Sequence, residues 1–141
     1  MSLQTTTDHL GRKVYRLPLP PTSNHRLIPA KINGRTRLIT SSEMRAWKKQ
    51  VHEILQGEDE IPCVAGYRIY IAIWWPDRRK RDIDGPVKVC LDALVKAGIL
   101  VDDSFVRYLT VEDMTTQRQG DDVEPGIDIR VDTEERFLRP F

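Results

Sequence analysis

From Tyr67 to Trp75 the chain reads Tyr-Arg-Ile-Tyr-Ile-Ala-Ile-Trp-Trp, aromatic or β-branched at almost every position. Such a run suits a strand covered on both faces, and it predicts a central position in a sheet. Ile69, Ile71 and Ile73 share one face, Ala72 and Trp74 help make the other apolar, and Pro76 stops the strand. Val106–Glu112 and Gly126–Asp132 alternate apolar with polar residues, and the second is expected to be half-exposed. Val14–Leu19 reads as a short strand ended by Pro20-Pro21, with Pro18 better suited to an edge or a strand end. Asn33-Gly34 centres a turn that feeds another short strand up to Ile39.

Two segments carry the helical period instead. Met44, Trp47, Val51, Ile54 and Leu55 form one apolar stripe. Thr40 and Glu43 fit a capping box with Thr40 as N-cap, and Gly57 ends the helix. Trp47 is expected to anchor the core, while His52 lies off the stripe. In the second helix Val87, Leu91, Leu94 and Val95 are the buried stripe, with Cys90 beside it. Asp84 is the expected N-cap, Pro86 falls in the first turn, and Gly98 is the stop with Lys96 in the last turn. The elements predict an α/β (α+β) domain with a mixed sheet of about four to five strands and two main helices. That domain is expected over 13–133. Residues 1–12 are expected to be a disordered polar tail, and 134–141 a peripheral charged one.

The chain's 141 residues suffice for one domain with a real core. With 22 Lys and Arg against 21 Asp and Glu, the net charge of +1 does not announce a polyanionic partner. The distribution says more: Arg78, Arg79, Lys80 and Arg81 form a basic block, and Asp121, Asp122 and Glu124 make the late loop acidic. Cys63 and Cys90 have neither disulfide-framework nor zinc-site spacing, which points to a reducing, cytoplasmic setting. No apolar run has membrane-spanning length, so no membrane partner is expected.

The chemistry concentrates between Trp74 and Val106. Asp82 and Asp84 follow the basic block one residue apart; in extended backbone both point one way while Ile83 faces the core. Asp102 and Asp103 close the far end of the second helix and its return. Clustered carboxylates repel unless a cation neutralises them, and hard oxygen donors suit Mg²⁺ or Mn²⁺. Lys88, one turn into the helix, leans back toward Asp84 and is placed to stabilise charge on a reacting phosphate. Four cations beside such a site suit a polyanionic substrate. Asn24 and Arg26 offer further phosphate contacts from the loop Thr22–Arg26, or simply face water. Taken singly, each feature has a plainer reading: Asp84 as a cap, Asp102-Asp103 as a turn, Lys88 as a solvated side chain. The helix must also end short, or its return must recover most of its length, for Asp103 to meet Asp84.

The run Arg78-Arg79-Lys80-Arg81-Asp82-Ile83-Asp84, then Lys88, then Asp92–Gly98, then Asp102-Asp103, resembles the RusA family of Holliday-junction resolvases. Leu17–Asn24 and Gly34–Ser41 resemble the family's opening, so the resemblance covers roughly 14–132. It implies a homodimeric Mg²⁺-dependent endonuclease, with Mn²⁺ able to substitute, that resolves four-way DNA junctions by paired symmetric nicks. It implies Asp82, Asp84 and Asp103 as metal ligands, Asp102 as an auxiliary acid, and Lys88 as the essential lysine. Where the family commonly has Asn after the second acid, this chain has Gly85 followed by Pro86. Two other readings remain: a junction-binding protein whose acids only cap and turn, and an Asp-nucleophile phosphatase. The phosphatase needs a strand running straight into its Asp-x-Asp, and here Pro76 and five charged residues intervene.

Overall fold

The structure, a computed structural model, describes residues 6–7, 13–22, 25–115 and 124–133. Most of the expected N-terminal tail, all of 134–141, Asn24, Asp121 and Asp122 lie outside the described residues.

In chain order the strands are β1 (Thr6–Thr7), β2 (Lys13–Leu17), β3 (Leu27–Ile32), β4 (Arg35–Thr40), β5 (Tyr67–Trp74), β6 (Val106–Asp113) and β7 (Gly126–Asp132). The helices are α1 (Ser42–Leu55) and α2 (Val87–Lys96). Five strands form one sheet in the order β1-β2-β7-β5-β6, in which β5 and β6 are parallel and every other pair is antiparallel. A parallel pair needs a crossover, and the segment carrying α2 supplies it. The mixed sheet with two helices is the α/β class the sequence predicts. A second sheet, the hairpin β3–β4, stands apart.

Period-two patterning puts one row of side chains across the main sheet: Tyr15 opposite Ile129, Ile129 opposite Ile71, and Ile71 opposite Val111. Ile69, Ile71, Ile73, Ile127 and Ile129 are fully buried there. Met44, Trp47, Val51 and Leu55 of α1 and Cys90, Leu91 and Leu94 of α2 join them in one cluster, so both helices cover the same face. Each large apolar side chain buried this way contributes about 1.5–3 kcal/mol over its exposed state. Trp47 also donates its indole N–H to the Pro18 carbonyl at 2.9 Å, fastening α1 to the end of β2. Burial pushes the Cys90 thiol up to about 12, so it serves as a small hydrophobe.

β7 departs from the expectation of a half-exposed strand. It lies between β2 and β5, with Ile127, Ile129 and Val131 in the core. Its other face is covered without a helix, by cations over rings: Arg16 over Trp74 and Arg130 over Tyr70, at 5.1 and 5.2 Å from the ring centres. Arg16 also pairs with Asp128 at 3.0 Å. Alternation reports side-chain polarity, and here polar side chains cover the second face themselves.

The start of α1 also shifts. Thr40 ends β4, and the N-cap is Ser41, whose hydroxyl accepts from the Met44 amide at 3.1 Å and donates to the His25 carbonyl. The hairpin's last pairing, Leu27 with Thr40, keeps Thr40 extended and hands the cap to the next residue.

Candidate functional site

Two segments carry the predicted acids. The first is the loop after β5. Trp75 is buried, and its amide donates to the Thr115 hydroxyl at 3.0 Å, which fixes where the loop leaves the sheet. The basic block then divides. Arg81 folds back: its guanidinium lies 4.9 Å from the Trp75 ring centre and bonds the Asp77 carboxylate at 2.6 Å. Arg78, Arg79 and Lys80 stay exposed. The Arg81 hydrogen bond holds the Asp77 carboxyl down to about 2, with a backbone bond from Arg79 adding to the effect. Asp77 is an anchoring residue that the sequence reading missed; an Asp four positions before an Arg was the available signal.

Asp82 and Asp84 follow this anchor, but not in extended backbone. Ile83–Pro86 is a succession of turns in which the Gly85 amide donates to the Asp82 carbonyl at 3.2 Å and the Val87 amide to the Asp84 carbonyl at 3.1 Å. Two expectations fail here. Ile83 is exposed rather than directed into the core, because the chain turns before it can alternate. Asp84 does not cap α2: the helix begins at Val87, Pro86 holds the N-cap position, and no side chain caps it. Asp84 sits two residues before that N-cap position, and its carbonyl rather than its carboxylate accepts the Val87 amide. Both carboxylates are left exposed, without an ion pair or side-chain hydrogen bond among the described residues. A side chain at position 85 would meet the Asp82 carbonyl at 3.3 Å, so glycine suits this tight turn.

The second segment is the return from α2. The helix has ten residues, about 15 Å, shorter than its pattern suggested. Gly98, at φ 79°, reverses the chain. The Ile99 amide donates to the Leu94 carbonyl and the Gly98 amide to the Val95 carbonyl, both at 3.0 Å, which makes a Schellman motif. Its hydrophobic pair, Leu94 and Ile99, is fully buried. Two bonds tie the return to the sheet side: Ile61 donates its amide to the Ile99 carbonyl at 2.8 Å, and the Val101 amide donates to the Tyr67 hydroxyl at 3.2 Å. Tyr67 in turn donates to the Ile61 carbonyl at 2.7 Å. Asp102 caps the 3₁₀ turn Asp103–Phe105 by accepting from the Ser104 amide at 3.1 Å.

Lys88 closes on the second segment, and not on Asp84 as the sequence predicts. Its ammonium donates to Asp103 at 2.5 Å and lies 3.0 Å from Asp92. The Asp103 bond, followed by the Asp92 bond, raises the lysine's proton affinity, so it stays charged. Reciprocally, the Lys88 bond holds the Asp103 carboxyl below the usual carboxylate range, with Asp102 adding to the effect. Asp92 is therefore a partner of the lysine.

By donor type the acids suit a hard divalent cation: carboxylate oxygens, exposed at Asp82, Asp84 and Asp102 and half-buried at Asp103. As placed they do not converge, and among the described residues no three His, Cys, Asp or Glu side chains lie close enough to hold an ion. The site is also open. A groove of about 420 Å³ between the helices includes Trp47, Val89 and Asp92 but none of Asp82, Asp84 or Asp103. Carboxylates on an open surface beside three exposed cations suit a large anionic polymer better than an enclosed small molecule.

Of the proposed phosphate contacts outside the block, Arg26 is turned to internal use. Its Nε donates to the Pro21 carbonyl at 2.8 Å, and burial lowers its proton affinity. No helix among the described residues is long and apolar enough to cross a membrane.

Comparison with known proteins gives a consistent picture. The family model described as endodeoxyribonuclease RusA matches residues 18–132. A crossover junction endodeoxyribonuclease of Enterobacteria phage 82 is 36% identical over 108 residues, covering 75% of this chain and 88% of that protein. Proteins of the same name from Escherichia coli K12 and Shigella sonnei are 35% and 34% identical over 105 residues, covering 74% of this chain and 84% of each relative.

Proposed function

Because this chain belongs to the endodeoxyribonuclease RusA family, we propose that it resolves four-way (Holliday) DNA junctions by paired symmetric nicks, in recombination and repair. The observation that carries this reading is the Lys88–Asp103 contact at 2.5 Å, formed next to a loop that offers free Asp82 and Asp84 behind exposed Arg78, Arg79 and Lys80.

Asp82, Asp84 and Asp103 hold a divalent cation in this reading, with Asp102 as an auxiliary acid, Mg²⁺ as the resident ion and Mn²⁺ able to substitute. When bound, such an ion activates water and polarises the scissile phosphate. The chain's own groups do the rest. Arg78, Arg79 and Lys80 draw the phosphate backbone in, while Arg81 keeps the loop folded so that Asp82 stays at its mouth. Lys88 is fixed by Asp92 and Asp103, and its third N–H is left to donate to the phosphate whose charge grows in the transition state. Asn24 is the remaining candidate DNA contact outside the basic block. A homodimer would offer two identical sites to the two opposed strands of a junction with approximate two-fold symmetry. The proposed setting is the cytoplasm of a bacterium or of a phage-infected cell.

The separation of the carboxylates favours one second reading, a junction-binding protein whose acids only shape turns. The phosphatase reading lacks support, because a folded loop and not a strand leads into Asp82. Purified protein is expected to nick a synthetic four-way junction in Mg²⁺, and Asp82→Asn to bind the junction without nicking it. Normal nicking by the variant would remove Asp82 from the site. Binding by the wild type with no nicking, and no calorimetric Mn²⁺ uptake, would leave the second reading in place.

A further inference from the structure

The hairpin β3–β4 is not used by the site described above. It runs from Leu27 to Thr40 around Asn33 and Gly34, at φ 52° and 78°, the positive-φ pair of a tight two-residue hairpin turn. Pairing is regular along its whole length, from Leu27 opposite Thr40 to Ile32 opposite Arg35. Yet it packs on neither helix as an element, and both of its faces are open. Leu38 is 68% exposed and Leu27 51% on one face, with Ile28 42% and Ile32 39% exposed on the other. A lone two-stranded hairpin is marginal in water, so an open one this long is a surface awaiting a partner.

Charge decides which partner. Lys31, Arg35 and Arg37 are exposed, and Leu27–Thr40 contains no acidic residue, in a chain whose cations and anions otherwise nearly balance. None of the three side chains has an ion pair or hydrogen bond among the described residues. Register puts Arg35 and Arg37 on one face and Lys31 on the other. A second copy of the chain fits poorly: a two-fold contact sets each patch against itself, so Arg35 and Arg37 would face their own counterparts. A polyanion meets the same cations favourably on both faces. A two-stranded ribbon is also one of the two protein elements that the DNA major groove admits, where apolar side chains meet thymine methyls.

We propose that β3–β4 is a DNA-gripping ribbon that holds duplex away from the cutting site through Lys31, Arg35 and Arg37. The proposal rests on the nuclease reading for its substrate and adds a contact surface outside the acidic site. The ribbon's exposed cations carry no core packing, so their replacement leaves the fold intact, which circular dichroism checks.

The test compares wild type with Lys31→Gln/Arg35→Gln/Arg37→Gln, on a four-way junction and on linear duplex in Ca²⁺, across a salt series. For every phosphate that is no longer neutralised, the salt slope falls by about one. The variant's slope is expected to be shallower by about two to three units, with binding roughly ten- to a hundredfold weaker near 0.1 M salt on both DNAs. Charge reversal, Arg35→Glu/Arg37→Glu, is expected to weaken binding further. Nicking of junction already saturated with protein, measured in Mg²⁺, is expected to persist. A glutamine-variant slope equal to that of a wild type that binds DNA overturns the ribbon, whatever the nicking result. Wild-type binding without nicking overturns the nuclease reading alone. Sedimentation of Leu27→Ser/Leu38→Ser gives the rival outcome: a dimer that falls apart, with the salt slope intact in the glutamine variant, makes the hairpin a contact between copies.

Discussion

The two acid-bearing segments of the candidate site differ in how they are held. Asp103 arrives on a return clamped from below: a Schellman motif over buried Leu94 and Ile99, an amide bonded to the Tyr67 hydroxyl, and a lysine at 2.5 Å. Among the described residues, Asp82 and Asp84 sit on a loop pinned by Trp75, Thr115 and the Arg81–Asp77 pair, with their own carboxylates free. One half is preorganised by the core and the other is left adjustable. Clustered carboxylates repel, and free Asp82 and Asp84 held apart from Asp103 avoid that repulsion. The half that carries the lysine has its neutralising charge built in and can be rigid.

Leu94→Ala should break the rigid half most severely. The side chain is fully buried under the return, and its loss should cost about 2–5 kcal/mol in urea unfolding, with nicking falling as Asp103 loses its seat. Little change in stability would mean that the return is not clamped from below. Asp84→Asn should do the reverse: nicking down about a hundredfold or more, with stability unchanged within about 0.5 kcal/mol. A large fall in melting temperature would show that this carboxylate bears structure after all.

Tyr67→Phe tests the tie between the return and the sheet more gently. It removes the acceptor for the Val101 amide and the donor to Ile61, for a cost of about 1–2 kcal/mol, with junction affinity retained and nicking reduced. Lys88→Met should let the Asp103 carboxyl titrate at higher pH, since its largest lowering influence is gone; carboxyl carbon NMR reads this directly. The sign follows from linkage. A depressed folded-state value favours folding above the ordinary carboxylate range, and that contribution disappears as pH falls through the folded value. The smallest effect belongs to Asp77→Asn. Asp77 is held down to about 2 from an ordinary 3.8, so its contribution is present above that ordinary value and lost between the two. The variant's melting temperature should be less pH-dependent in that acid window and close to wild type near neutrality.

Much of the fold was legible because the signals were local. Ile69, Ile71 and Ile73, the stripe from Met44 to Leu55, the stop at Gly98 and the Asn33-Gly34 turn each carry their conformation in adjacent residues. What the sequence misplaced depended on a neighbour. Thr40 lost the cap because Leu27 pairs with it across the hairpin. β3 went unseen because Pro29 and a lack of alternation hide a strand whose two faces are both open. Asp84 read as a cap because Asp-Gly-Pro imitates a helix start, whereas the turn from Asp82 to Pro86 delays the helix to Val87.

By itself the sequence determined the candidates for the proposed chemistry: three acids and a lysine at family spacing, a basic run ahead of them, and the elements that carry them. Only the tertiary structure decided which of these groups touch. A ten-residue helix and a glycine reversal return Asp103 to Lys88, while a folded loop leaves Asp82 and Asp84 apart and turns Arg81 inward onto Trp75. The physical reason is range. Period and capping act within a few residues, whereas an ion pair across fifteen positions depends on buried side chains, such as Leu94 and Ile99, that choose the path between them.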